Sequence, residues 1–230
     1  MTRQNFYKLR AVAVFLILGL AICLTSNARA HTAMLFIFGH YKIASENMQP
    51  TLEVNDHVFS NGLAYSTKNL PKHGDVVVFR NPNSGQVFVK RLVGLPGDEV
   101  QTTHGRLYLN GKMIERTKID EFSYRTHRGW PVQVIVYSEQ LPGEKLAHLI
   151  FEQFDDGMLD NAGPFAVPAG HYFVMGDNCD NSADSRMLGG PGFVPFDHLI
   201  GRAEMMVFSF KKCKTEEGLH CPGSRWFLKL

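Results

Sequence analysis

The sequence predicts a mostly β domain, built as an antiparallel sheet or barrel, behind one N-terminal membrane segment. Short β-branched or aromatic runs recur along the chain, each bounded by Gly, Pro, Asn or Asp. Asn110-Gly111 stands between two such runs, the strongest short-range hairpin signal. The long apolar run lies at the start, over Ala11–Leu24, directly behind basic residues.

Met1–Arg10 carries Arg3, Lys8 and Arg10 and no acid, and Thr25-Ser26-Asn27 ends the apolar run before Ala28-Arg29-Ala30. This is the three-part plan of an export signal. It fits a signal cleaved after Ala30, or a retained anchor. Ala11–Leu24 is short for a hydrocarbon core that needs about twenty residues. Thr25–Ala30 can extend the helix, with Arg29 snorkelling to the interface. In both readings the basic end stays in the cytoplasm and the rest is translocated.

The elements follow in order. Thr32–Phe38 reads as a linker or first strand. Asp75–Phe79 and Val87–Val93 are compact β runs, the second ended by Gly94-Leu95-Pro96-Gly97-Asp98. Arg106–Leu109 and Met113-Ile114 flank the Asn-Gly turn. Val132–Tyr137, His171–Met175 and Ala203–Phe210 complete the strand pattern. Glu139–Leu149 has a helical look, which Pro142 and Gly143 weaken.

Composition narrows the function. Charged residues make up 20% and apolar residues 44% of 230, so the bulk is a folded domain. Lys and Arg exceed Asp and Glu by only 24 to 22, which gives no support for a nucleic-acid partner. Phosphate-loop, Gly-x-Ser-x-Gly and His-Glu-x-x-His patterns fail. Asp180-x-Ser182-x-Asp184 lacks the Gly and Glu of a calcium loop, and no His spacing suggests a metal. No cofactor is expected.

Two segments carry chemistry. In Val87–Val93 the side chains alternate, placing Lys90 on one face with Phe88 and Leu92, and Arg91 on the other with Val89 and Val93. A lysine on an apolar face loses hydration and its pKa falls, which suits a general base. It can also be an edge lysine that snorkels to water. Gly176–Arg186 is dense in Asp, Asn and Ser. It reads either as a solvated loop or as a polar cluster that pairs with Arg91 and Arg186.

The combination resembles bacterial type I signal peptidase. The resemblance rests on Ile43–Leu52, Gly74–Phe79, Lys90–Asp98, Gly170–Asn178 and Asp180–Arg186, in that order along the chain. Residues 101–166 match only through the Leu107–Lys112 hairpin. The resemblance implies a signal-peptidase-like catalytic domain over 31–212, behind a retained anchor within 1–30 and before a tail over 213–230. It implies a Ser/Lys-dyad serine endopeptidase that removes N-terminal signal peptides from exported precursors after small residues. The chain would be a single-pass protein of the inner (cytoplasmic) membrane, in contact with lipid, its domain on the periplasmic or extracellular side.

Residue by residue, Lys90 stands at the general-base position and Ser182 at the hydroxyl that holds its amine. Asp177 with Arg91, and Asp184 with Arg186, stand at bracing ion pairs. The nucleophilic Ser that precedes Met-x-Pro-Thr is replaced by Asn47, whose carboxamide cannot acylate. Ser45 matches an oxyanion helper. Were the segment extended, Ser45 and Asn47 would share a face about 6.5–7 Å apart, making Ser45 a displaced-nucleophile candidate. The alternative is a pseudoprotease that binds signal peptides or precursors without cleaving them. Cys213 and Cys221 are a disulfide candidate in an oxidising compartment, and Cys179 is expected unpaired.

Overall fold

The computed structural model of the chain describes residues 38–209, 216–221 and 223–230. The basic segment, Ala11–Leu24 and Cys213 lie outside the described residues. Among the described residues no helix is long and apolar enough to cross a membrane. Gly39–Leu230 form one unit.

The main sheet has eight strands. They are β1 (Phe38–Lys42), β2 (Asp56–Asn61), β3 (Val76–Arg80), β4 (Val87–Gly94), β12 (His171–Met175), β13 (Val194–Pro195), β14 (Leu199–Ser209) and β15 (Trp226–Lys229). Its order is β1-β2-β14-β3-β4-β12-β13, with β15 pairing to β14. A four-stranded sheet joins β5 (Glu99–Thr103), β6 (Arg106–Leu109), β7 (Lys112–Met113) and β11 (Ala162–Ala166). A three-stranded sheet holds β9 (Pro131–Glu139) between β8 (Arg116–Arg125) and β10 (His148–Glu152). The ladders within these sheets are antiparallel.

Strand β3 shows why the sheet forms here. Val76, Val77, Val78 and Phe79 are all buried. Val76 and Val78 join a cluster with Met48, Leu52, Val58 and Met206. Val77 and Phe79 join another with Leu92, Tyr172 and Val174. A continuous β-branched run suits a strand covered on both faces, and each buried side chain contributes about 1.5–3 kcal/mol. In the register, Val77 lies opposite Lys90 and Val76 opposite Arg91. On the other side of β4, Leu92 lies opposite Val174 and Arg91 opposite Met175. The two cationic residues are therefore set at the centre of the sheet.

Asn110 and Gly111 take φ of +54° and +73°, the left-handed pair that a tight hairpin requires. Two expectations are corrected. Glu139–Leu149 is not helical. Glu139 ends β9, the Glu144 amide closes a turn onto the Leu141 carbonyl, and His148 opens β10. Pro142-Gly143 makes that turn, so the apolar spacing belongs to two strands. The 213–230 segment is not merely a tail. Its β15 pairs Met206 with Leu228, and Leu230 packs onto the Met48–Leu52 cluster.

Candidate active site

The site grows out of adjacent positions on β4. Lys90 is fully buried and donates from Nζ to Ser182 Oγ at 2.8 Å. Its sheet face is the apolar one, shared with Phe88 and Leu92 as the alternation requires. Burial brings the Lys90 pKa down to about 8, against the pull of Asp184 and Asp177.

Arg91, on the opposite face, forms a fork onto Asp177: Nε to Oδ1 at 2.8 Å and Nη2 to Oδ2 at 2.7 Å. Burial opposes ionisation of Asp177, but Arg91 and Thr51 outweigh it and hold the carboxyl below its ordinary range. Asp184 accepts from Arg186 Nε at 3.0 Å and Nη2 at 2.9 Å, and also from the Gly176 amide. It too lies below the usual carboxylate range: burial acts against it, and Arg186 and Lys90 prevail. Arg186 reaches on to the Cys179 carbonyl at 2.8 Å. The segment dense in Asp and Asn is thus mostly buried and internally paired, the polar-cluster reading rather than the solvated loop.

Asn47 comes to the edge of this network through its backbone. Its carbonyl accepts from the Asn178 amide at 3.2 Å, and Asn178 Nδ2 donates to the neighbouring Glu46 carbonyl. A Cβ on Gly176 would stand 2.3 Å from both the Asn47 carbonyl oxygen and Ser182 Oγ. The bare glycine is what lets the Asn47 turn and the Ser182 loop close on the same spot. Ser45 is different. It is exposed and sits in a bend, and the following residues form tight turns, with Leu52 N donating to Met48 O at 2.7 Å. The segment is not extended, so the condition for a same-face relation of Ser45 and Asn47 is not met. Cys179 is a buried free thiol. Cys221 is disulfide-bonded.

The structure adds residues that the sequence reading missed. Thr51 donates to Asp177 and accepts from Arg91. His148 lies between Glu144 at 3.0 Å and Glu139 at 3.6 Å, and Glu144 in turn contacts Arg91 at 3.5 Å. Burial disfavours charge on His148, but the two carboxylates raise its pKa to about 9. Thr51 was within reach, since it lies in one of the blocks that carry the resemblance. His148 had no signal, because its partners meet only across a turn. A groove of about 620 Å³ opens beside the Asn47 turn, lined by Glu46, Gln49, Pro50, Tyr124 and Phe151 among others.

Fold and site together define a β-rich domain built around a buried lysine held by a hydroxyl. The pattern of the family described as signal peptidase, peptidase S26, matches residues 10–208, and the chain belongs to that family. The signal peptidase I of Rickettsia typhi is 36% identical over 203 aligned residues, covering 77% of this chain and 74% of that protein. The signal peptidase I of Pseudomonas aeruginosa is 37% identical over 188 residues, covering 73% of this chain and 64% of that protein. A crystal structure of a signal peptidase I from Enterococcus faecalis aligns at 26% identity over 57% of this chain and 95% of that one, with a TM-score of 0.34.

Proposed function

We propose that the chain acts on the signal peptides of exported precursors as a serine endopeptidase of the signal peptidase I type, with Lys90 as general base. The observation that carries this reading is the Lys90–Ser182 pair: a fully buried amine, with a pKa brought to about 8, held at 2.8 Å by a hydroxyl. A neutral amine so placed can take the proton of an attacking hydroxyl. The hydroxyl oxygen then bonds to the scissile carbonyl carbon, the departing amine takes the proton, and water releases the acyl group. Ser182 positions the amine, and Asp177–Arg91 and Asp184–Arg186 hold the strand and loop that carry the pair. No cofactor enters these steps.

Asn47 favours a second reading, in which the domain holds signal peptides or precursors without cutting them. By the family resemblance it takes the position of the nucleophilic serine, and a carboxamide has no hydroxyl to give. Ser45 is exposed while Lys90 is completely buried, which speaks against Ser45 as a replacement nucleophile. Asn47 retains amide donors that suit an oxyanion. In both readings the domain would work outside the cytoplasm, held to the inner membrane and its lipid by Ala11–Thr25; the disulfide at Cys221 supports the Cys213–Cys221 pairing and an oxidising compartment.

The test is cleavage of a precursor with small residues at the cut, by the full chain in detergent. Wild type should fall about a thousandfold or more below Asn47→Ser, and adding Lys90→Ala to that variant should abolish its gain. Wild type as fast as Asn47→Ser would sink the binding reading. Loss of that activity in Ser45→Ala would then put the nucleophile two residues upstream.

A further inference from the structure

We propose that Glu152, Asp160 and Asp180 bind one calcium ion, at a site distinct from the lysine-centred one and joined to it by the segment running from Asp180 to Ser182. Each residue offers a carboxylate oxygen, and these oxygens lie within 4.8 Å of one another. Two ligands on calcium, at roughly 2.4 Å each, can span that separation. Magnesium demands near-ideal octahedral geometry at about 2.1 Å and keeps several waters, so three anchored carboxylates suit it less well.

Each carboxylate is anchored by one oxygen, which leaves the other available. Glu152 Oε2 accepts from Arg116 at 2.6 Å. Asp160 Oδ2 accepts from the Gly157 amide at 2.5 Å. Asp180 Oδ2 accepts from the amides of Gln153 at 2.7 Å and Phe154 at 3.2 Å. A second observation points to a ligand. Glu152 Oε1 is buried, in a residue only 1% exposed, and no N–H donor reaches it; with both groups ionised, the Asp180 carboxylate beside it offers no proton either. An orphaned carboxylate oxygen in the interior is costly, and a cation would satisfy it.

Charge balance points the same way. Arg116 serves Glu152 and Asp155, and Arg186 serves Asp184. With Asp160 and Asp180 added, the carboxylates outnumber the guanidiniums. Gly157 lets the cluster close, since a Cβ there would meet Asp180 Oδ1 at 2.9 Å and Asp160 Oδ2 at 3.1 Å. The linear Asp180-x-Ser182-x-Asp184 spacing still fails as a calcium loop. The ligands come instead from the end of β10, the turn before β11, and the short 3₁₀ turn at Cys179–Asn181. A bound ion would clip β10 to the loop that presents Ser182 to Lys90.

Equilibrium dialysis of the wild-type chain with radioactive calcium should give one ion per chain. Calcium at ten times its dissociation constant should raise the unfolding midpoint by about 3 °C over the EDTA-treated protein. Magnesium at the same concentration should do markedly less. Glu152→Gln and Asp160→Asn should each lose both the binding and the shift. Absence of calcium binding by wild type, an equal response to magnesium, or full binding by both variants would overturn the site. A proton shared with Asp180 would then satisfy Glu152 instead. If a variant does not fold, the wild-type dialysis decides alone, and it does so whether or not the chain cleaves precursors.

Discussion

At the scale of single residues, the decisive fact is a lysine with no access to water. Its proton affinity sets a pH dependence that can be measured once a hydroxyl is restored. With a pKa of about 8, only about a tenth of Lys90 is neutral at pH 7, and the neutral form is the base. The kcat/KM of Asn47→Ser should therefore climb with pH and level off above an apparent pKa near 8. A flat profile between pH 7 and 9 would remove Lys90 from the proton transfer. Lys90 was readable in the sequence because strand alternation set it between Phe88 and Leu92, and an apolar face is a statement about desolvation. The Ser45–Asn47 relation was not readable, because it assumed extended backbone where the chain turns. No local residue pattern announced that turn, whose anchors, Asn178 and Gly176, lie far downstream.

At the scale of elements, the three-stranded sheet is the part the sequence showed least well. Much of β8 is exposed and charged, and β10 was hidden inside a false helical period. Yet this sheet is tied to the site. The Phe151 amide donates to the Asp177 carbonyl at 2.8 Å, and Phe151 bridges in parallel to Asn178. His148 at the start of β10 adds a charged link through Glu144 to Arg91. Its folded pKa of about 9 lies above the ordinary value of 6.5. Its contribution to stability is therefore full below pH 6.5 and lost as pH rises through 9, about 3 kcal/mol at most. Lys90, with a depressed pKa, acts in the opposite sense above pH 8, so the informative quantity is a difference. Wild type should lose stability relative to His148→Gln between pH 6 and pH 9.5 in denaturant titrations. Parallel curves for the two proteins would mean that His148 keeps the same pKa in the folded and the unfolded chain. By contrast, β3, β4, the β6–β7 hairpin and β12 were legible, because β-branched runs and turn residues mark them without help from distant partners.

At the scale of the whole molecule, the proposed topology leaves Arg3, Lys8 and Arg10 in the cytoplasm and the domain beyond the membrane. Protease added to intact spheroplasts should degrade the domain while cytoplasmic markers survive, and complete protection would reverse this topology. The pairing of β15 with β14 bears on how such a domain matures. Leu230 packs in the same cluster as Met48 and Leu52, which flank the turn carrying Asn47, and its amide donates to Glu204. A chain synthesised from its amino end delivers the Asn47 turn early and Leu230 late. The cluster beneath that turn therefore stays incomplete until that last segment arrives. The footing of the Asn47 turn is thus set by a segment that lies about 180 residues downstream of it.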